Sequence, residues 1–289
     1  MSGYTEHVFT APDGVKTYYR RYDPPAADPG KAPALCMHGL TRNCRDFEAL
    51  APAIAETGRP VIAVDVRGRG RSDYDPNPDN YTPAVYAQDM LGLLDGAGIK
   101  TVAAVGTSMG GLMTMIMAAA RPGIVSSAVL NDIGPVIDPT GLARIQGYVG
   151  GAGPFDSWDA AAEAVRGVNG VAFPEETGHG FWLAFARRIC RELDDGRVAF
   201  DYDTAISKPV QSGDVAPPDL WPAFDALKPV PILLVRGELT DLLSEQTAQD
   251  MAARSADFTR VDVPKVGHAP LLTEPVALTA IIDFLNRTA

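Results

Sequence analysis

No apolar run in this chain of 289 residues approaches the length of about 20 that a membrane-spanning helix needs. Cysteine is scarce: Cys36, Cys44 and Cys190 are odd in number and lack C-x-x-C spacing, so free thiols in a reducing cytoplasm are expected, not a disulfide framework. The four histidines (His7, His38, His179, His268) lie far apart and no H-E-x-x-H occurs, so no metal is expected. Basic residues are in deficit, 25 Lys and Arg against 36 Asp and Glu. The net charge of −11 disfavours nucleic acid and anionic membranes as partners. With neither G-x-G-x-x-G nor a Walker lysine, nucleotide binding is disfavoured as well. Residues 1–7 show no basic region followed by an apolar core, so no secretory signal is expected. What remains is an ordinary globular composition, 46% hydrophobic and 21% charged, long enough for one large α/β domain or two small ones.

The informative stretch is 101–113. Val102-Ala103-Ala104-Val105 reads as a buried parallel strand, Gly106-Thr107-Ser108-Met109-Gly110 as a tight turn, and the Met- and Ala-rich run up to Pro122 as a helix. In that context G-x-S-x-G forms a nucleophile elbow. The flanking glycines let helix and strand approach closely, and the helix start directs free N–H groups and its positive dipole end toward the serine hydroxyl.

Strands and helices alternate on either side of this stretch. Residues 7–10 and 15–22 flank Asp13-Gly14, a hairpin signal. Strands are expected at 34–37, 61–64, 128–130, 231–235 and 258–263, and helices at 46–57, 81–97 (Thr82 as N-cap), 244–253 and 276–286. Such alternation implies a parallel sheet covered on both faces. The rhythm breaks between 136 and about 218, where no strong β-run occurs and helical segments at 160–166 and 181–191 suggest a helical insertion.

A serine hydroxyl needs a base, and the base needs a third group to fix its tautomer. His268 follows the last strand, in Val266-Gly267-His268-Ala269-Pro270, on a loop expected at the C-terminal edge of the sheet, where open α/β folds bind ligands. Asp241, in the loop after the strand ending at Val235, opens on the same edge. The order Ser108, Asp241, His268 matches one convergent triad class. Two rivals for the acid stay open: Glu238 in the same loop, and Asp132 after the neighbouring strand.

Four motifs in order, His38-Gly39-Leu40, Asp65-x-x-Gly68-x-Gly70-x-Ser72, the elbow and Gly267-His268, make the chain resemble the α/β-hydrolase superfamily over nearly its whole length. The resemblance implies an α/β fold with a mostly parallel eight-stranded sheet, helices on both faces, and a helical cap inserted after the sixth strand. The core would then comprise 1–135 and 219–289, and the cap 136–218. It also implies an oxyanion hole from the backbone N–H groups of Leu40 and Met109. The activity expected is that of a cofactor-independent serine esterase or lactonase, with a small-molecule ester as its partner. Carbon–carbon bond hydrolysis of a ring-cleavage dienoate, or a non-turnover receptor on the same fold, are the alternatives.

Around these groups, His38 reads as structural, shaping the loop that presents Leu40, and Asp65 with Gly68 and Gly70 as a tight turn. Arg42 is a candidate carboxylate clamp. Trp158, Phe173, Phe181, Trp182 and Phe185 are candidates either to line the substrate pocket or to form the cap's own core. Arg187, Arg188 and Arg191 read as the wet face of a cap helix.

Overall fold

A computed structural model describes residues 3–151, 153–211 and 219–288. The chain opens with strands β1 (Thr5–Thr10) and β2 (Lys16–Tyr22), turned at Asp13-Gly14, where Gly14 takes φ +89°. Strand β3 (Ala34–Met37), helix α1 (Leu50–Ala55), β4 (Val61–Val64), α2 (Pro83–Gly96), β5 (Val102–Thr107), α3 (Met109–Ala120) and β6 (Val125–Asn131) follow. The insertion holds α4 (Pro139–Tyr148), α5 (Trp158–Asn169), α6 (His179–Ile189), β7 (Cys190–Glu192), β8 (Val198–Phe200) and α7 (Ser207–Gln211). Helix α8 (Trp221–Asp225), β9 (Ile232–Gly237), α9 (Glu245–Arg254), β10 (Phe258–Val263) and α10 (Pro275–Arg287) complete the fold.

Eight strands form one sheet in the order β1-β2-β4-β3-β5-β6-β9-β10. β2 pairs antiparallel with β1 and β4, and every other pair is parallel. All residues of β3, β4 and β9 are buried, as expected of strands covered on both faces. One face packs Met37, Val64 and Leu130 against α2 and α3, with Tyr86, Met90 and Met113. The other packs Cys36, Val105 and Val235 against α1 and α10, with Leu50, Ile54, Ile281 and Phe284. The insertion has a core of its own, in which Ala161 and Val165 of α5 meet Trp182, Phe185 and Ile189 of α6.

Three local expectations need correction. Residues 46–57 do not form one helix; a 3₁₀ turn at Cys44–Phe47 precedes the shorter α1. The insertion is not wholly helical, since β7 and β8 pair as a hairpin turned at Gly196 (φ +82°). Three-residue strands carry too little periodicity to stand out in sequence. Helix α4 also went unread, although Asp138 caps it through the N–H of Thr140 and Pro139 occupies its first turn. The expected boundary at 218 lies outside the described residues.

The elbow glycines are set by close approach. A Cβ on Gly106 would stand 2.4 Å from the carbonyl carbon of Gly110, and one on Gly110 would stand 2.0 Å from the carbonyl oxygen of Met37. Backbone cannot step aside as a side-chain tip can. Gly110→Ala is therefore expected to destabilise the fold by about 3 kcal/mol, read as a lower urea midpoint; an unchanged midpoint would show that β3 and α3 are not so tightly apposed.

Candidate active site

Ser108 ends the turn between β5 and α3 at φ +50° and ψ −112°, a conformation that costs a non-glycine residue energy and is held by its surroundings. Its N–H donates to the carbonyl of Asn131 at 2.9 Å, fastening the turn to the end of β6. Its hydroxyl lies 2.9 Å from His268 Nε2, while His268 Nδ1 lies 2.8 Å from Asp132 Oδ2. A carboxylate only accepts, so Nδ1 carries the proton, Nε2 is the acceptor, and the serine O–H donates to it. Asn131, unremarked in sequence, links the parts: its side-chain amide donates to Thr107 Oγ1 at 3.0 Å and to the carbonyl of Pro270 at 2.8 Å, tying the serine turn to the histidine loop.

The carboxylate that His268 Nδ1 reaches is Asp132, not Asp241. Asp132 is fully buried, with φ +56°, a left-handed conformation aspartate tolerates. Its Oδ1 accepts the N–H of Gly237 at 2.9 Å, so both oxygens are engaged. Asp241 is held elsewhere. Its carboxylate receives Arg144 Nε at 2.6 Å and Nη2 at 2.8 Å, and its carbonyl accepts the N–H of Gly141. The Arg144 guanidinium holds the Asp241 carboxyl below the ordinary aspartate range. Glu238, the other rival, accepts from the N–H of Lys265.

The loop after β3 is gripped from below. His38 is fully buried; its Nδ1–H donates to the carbonyl of Gly39 at 2.7 Å and its Nε2 accepts the N–H of Val66 at 3.0 Å. The Leu40 N–H shares the planar trans peptide with that carbonyl, so it points the opposite way. A Cβ built on Gly39 would lie 3.8 Å from Ser108 Cβ, which puts this loop beside Ser108. The Gly68–Gly70 turn explains itself here: buried Arg69 donates to the carbonyl of Leu40 at 2.9 Å and lies 3.7 Å from Met109 Sδ. Asp65 braces the turn by accepting the N–H groups of Cys44 and Arg71. Met109 opens α3, where the N–H has no intrahelical partner.

Burial drives His38 down to about 4 from its ordinary value of 6.5. As pH falls, the unfolded chain therefore takes up this proton first. Stability is lost progressively from about pH 6.5 to pH 4, by on the order of 3 kcal/mol from this group. His38→Gln is expected to flatten the urea midpoint against pH across that window; an unchanged slope would contradict a buried neutral histidine.

Residues 33–275 match a family model described as the alpha/beta hydrolase fold. The chain belongs to this family. A solved alpha/beta hydrolase from Novosphingobium aromaticivorans is 44% identical, with a TM-score of 0.92 and 99% of each chain covered. The 3-hydroxybutyrate-oligomer hydrolase of Cupriavidus necator is 32% identical, with 87% of each chain covered. The 2-(acetamidomethylene)succinate hydrolase of Mesorhizobium japonicum is 28% identical over the same shares of the two chains. The chain is thus similar to proteins named as hydrolases.

Within this alpha/beta hydrolase, most of the aromatic candidates form the insertion's own core. Trp182 and Phe185 are buried against Phe173, and the Trp182 indole donates to the carbonyl of Glu176. Phe181 packs edge-on against Trp182, and Trp158 carries Arg187 over its ring and donates to Glu192. Leu40 packs against an apolar cluster that sequence reasoning missed, Ile133, Ile145 and Leu242 with Leu112, Ile137 and Tyr148 beside them. Arg42 pairs with Asp46 at 2.8 Å and stacks on the ring of Phe185 at 4.3 Å. A crevice of about 20 Å³ beside Thr107 and Ala269 is lined by Arg42, Asp46 and Leu271. A larger cavity of about 340 Å³ opens at Tyr18, Arg20, Arg71 and Asp201, away from Ser108 and His268.

Proposed function

We propose that this alpha/beta hydrolase is a serine hydrolase that cleaves a carboxylic ester or lactone. His268 takes the Ser108 proton as the hydroxyl oxygen attacks the carbonyl carbon. Asp132 keeps the imidazole in the required tautomer and stabilises it once charged. The N–H groups of Leu40 and Met109 receive the tetrahedral oxyanion, where one such donor is worth about 10²–10³ in rate. His268 then protonates the leaving alkoxide, and a water activated by the same ring releases the acid. No step calls on a cofactor.

The observation that carries this reading is the unbroken Ser108–His268–Asp132 relay, 2.9 Å and 2.8 Å long. The similarity to a hydrolase named for 3-hydroxybutyrate oligomers favours an ester bond as the target. Residues 136–218 act as the cap in this account. Its α5–α6 turn rests on the histidine loop, with the Gly267 N–H donating to the carbonyl of Ala172 at 2.7 Å. A reducing cytoplasm suits three cysteines that are all unpaired and buried. Hydrolysis of p-nitrophenyl acetate or butyrate tests the reading. Turnover that falls by orders of magnitude in Ser108→Ala is expected; equal turnover by that variant would reject it.

A further inference from the structure

The cavity of about 340 Å³ lies where the insertion meets the core, and arginines dominate its wall. Arg20 comes from β2, Arg45 from the 3₁₀ turn after β3, Arg71 from the turn after β4, and Arg191 from β7 of the insertion. Two carboxylates, Asp65 and Asp201, share the wall with these four. Further counter-charge comes from outside the wall, where half-exposed Glu48 pairs with Arg20 and half-exposed Glu6 with Arg71. In a chain of net charge −11 this is a local concentration of positive charge around an enclosed space.

The space is preformed. The Gly70 N–H donates to the carbonyl of Asp201 at 2.9 Å. Arg45 donates to the carbonyls of Arg187 and Cys190, to Asp201 Oδ2 at 2.7 Å and, through Nε, to Asn43. Arg45 is therefore spent on the frame that joins insertion to core. The other three arginines keep donors in reserve among the described residues. Arg71 lies over the ring of Tyr18 at 4.3 Å and uses Nη1 alone, on Glu6 and the Tyr18 hydroxyl. Arg20 uses Nη1 on Glu48 and Nε on Tyr18. Arg191 Nε stands 3.7 Å from Asp201 Oδ1, too far for a hydrogen bond. Each guanidinium carries five N–H donors, so all three have donors to offer an occupant.

Guanidinium groups arriving from three separate elements suit a tetrahedral oxyanion, whose oxygens point in several directions. A flat carboxylate is served by one fork in its own plane. The volume exceeds what a bare phosphate fills, and the oxygens of Asp65 and Asp201 keep lone pairs that suit hydroxyl donors. We propose that this cavity binds a small hydroxylated phosphomonoester, with Arg20, Arg71 and Arg191 on the phosphate and Asp65 and Asp201 on the hydroxyl groups. The site is separate from Ser108 and His268. Because its wall belongs to both the core and the insertion, the occupant fastens one to the other.

Calorimetry and thermal unfolding at low ionic strength, with glycerol 3-phosphate, inorganic phosphate, glycerol and succinate as probes, test the site. Glycerol 3-phosphate is expected to bind with Kd below about 1 mM and to raise Tm, inorganic phosphate to bind about tenfold more weakly, and glycerol not to bind. The side chains of Arg71 and Arg191 are about half exposed, so the fold tolerates their replacement. Arg71→Gln and Arg191→Gln should each weaken glycerol 3-phosphate about tenfold, and the double variant should abolish its binding. Arg197→Gln removes the same charge from the exposed β7–β8 turn, outside the cavity, and should stay within about twofold of the wild type. Ser108→Ala should bind as the wild type does, which keeps this result independent of the hydrolytic reading. No saturable binding of either phosphate compound at about 10 mM overturns the site, as does an equal loss in Arg197→Gln. Succinate binding more tightly than glycerol 3-phosphate overturns the assignment to a phosphomonoester.

Discussion

Asp132→Asn is expected to lower kcat by about 10⁴-fold, while Asp241→Asn lowers it by less than about tenfold. The amide offers its NH₂ or its weaker oxygen to His268 Nδ1, so the wrong tautomer becomes available and the imidazolium loses its counter-charge. Because Oδ1 of Asp132 also accepts the Gly237 N–H, the asparagine must choose which of two donors its single carbonyl oxygen will serve. Asp241 contributes by another route. It clamps Arg144 and, through its carbonyl, the start of α4, so its replacement loosens the join between insertion and core without touching the relay. Steady-state kinetics with p-nitrophenyl butyrate checks both. A severe loss in Asp241→Asn with a mild one in Asp132→Asn would hand the role back to Asp241.

Ser108→Ala and His268→Ala should each reduce kcat by about 10⁶-fold, and the double variant should be no worse than either. The hydroxyl and imidazole act as one unit across the 2.9 Å hydrogen bond: without the base the oxygen is inert, and without the oxygen the base has nothing to activate. Residual turnover above background is expected from the Leu40 and Met109 N–H groups and from binding alone. Losses that multiply in the double variant, measured by the same assay at high enzyme concentration, would mean that the two residues act independently.

The positions of Ser108 and His268 were legible because each sits where an apolar run ends and a turn begins, and because parallel strands end at one edge. The acid was harder to read for the same reason. β6 and β9 are neighbours in the sheet, so Asp132 and Asp241 emerge side by side at that edge. What separates them is Arg144, a residue of the insertion that captures one carboxylate and leaves the other to the histidine. No local pattern encodes that capture. The glycines of the elbow were read correctly as devices for close approach, and the Gly68–Gly70 turn as structural; that Arg69 reaches from it to the Leu40 carbonyl is a tertiary fact. The wet helix face expected of Arg187, Arg188 and Arg191 is not one face, because α6 ends at Ile189 and Arg191 lies on β7. The loop at 42–46 packs under the end of α6, where Asn43 donates to the backbone carbonyl of Arg188.

The most direct measurement is peptide mapping by mass spectrometry after treatment with a fluorophosphonate, in which the serine oxygen forms a bond to phosphorus and fluoride leaves. The account predicts a single stoichiometric adduct on Ser108, lost in Ser108→Ala and slowed by orders of magnitude in His268→Ala and Asp132→Asn. An adduct on another residue, or labelling of Ser108 that is indifferent to His268 and Asp132, would contradict it.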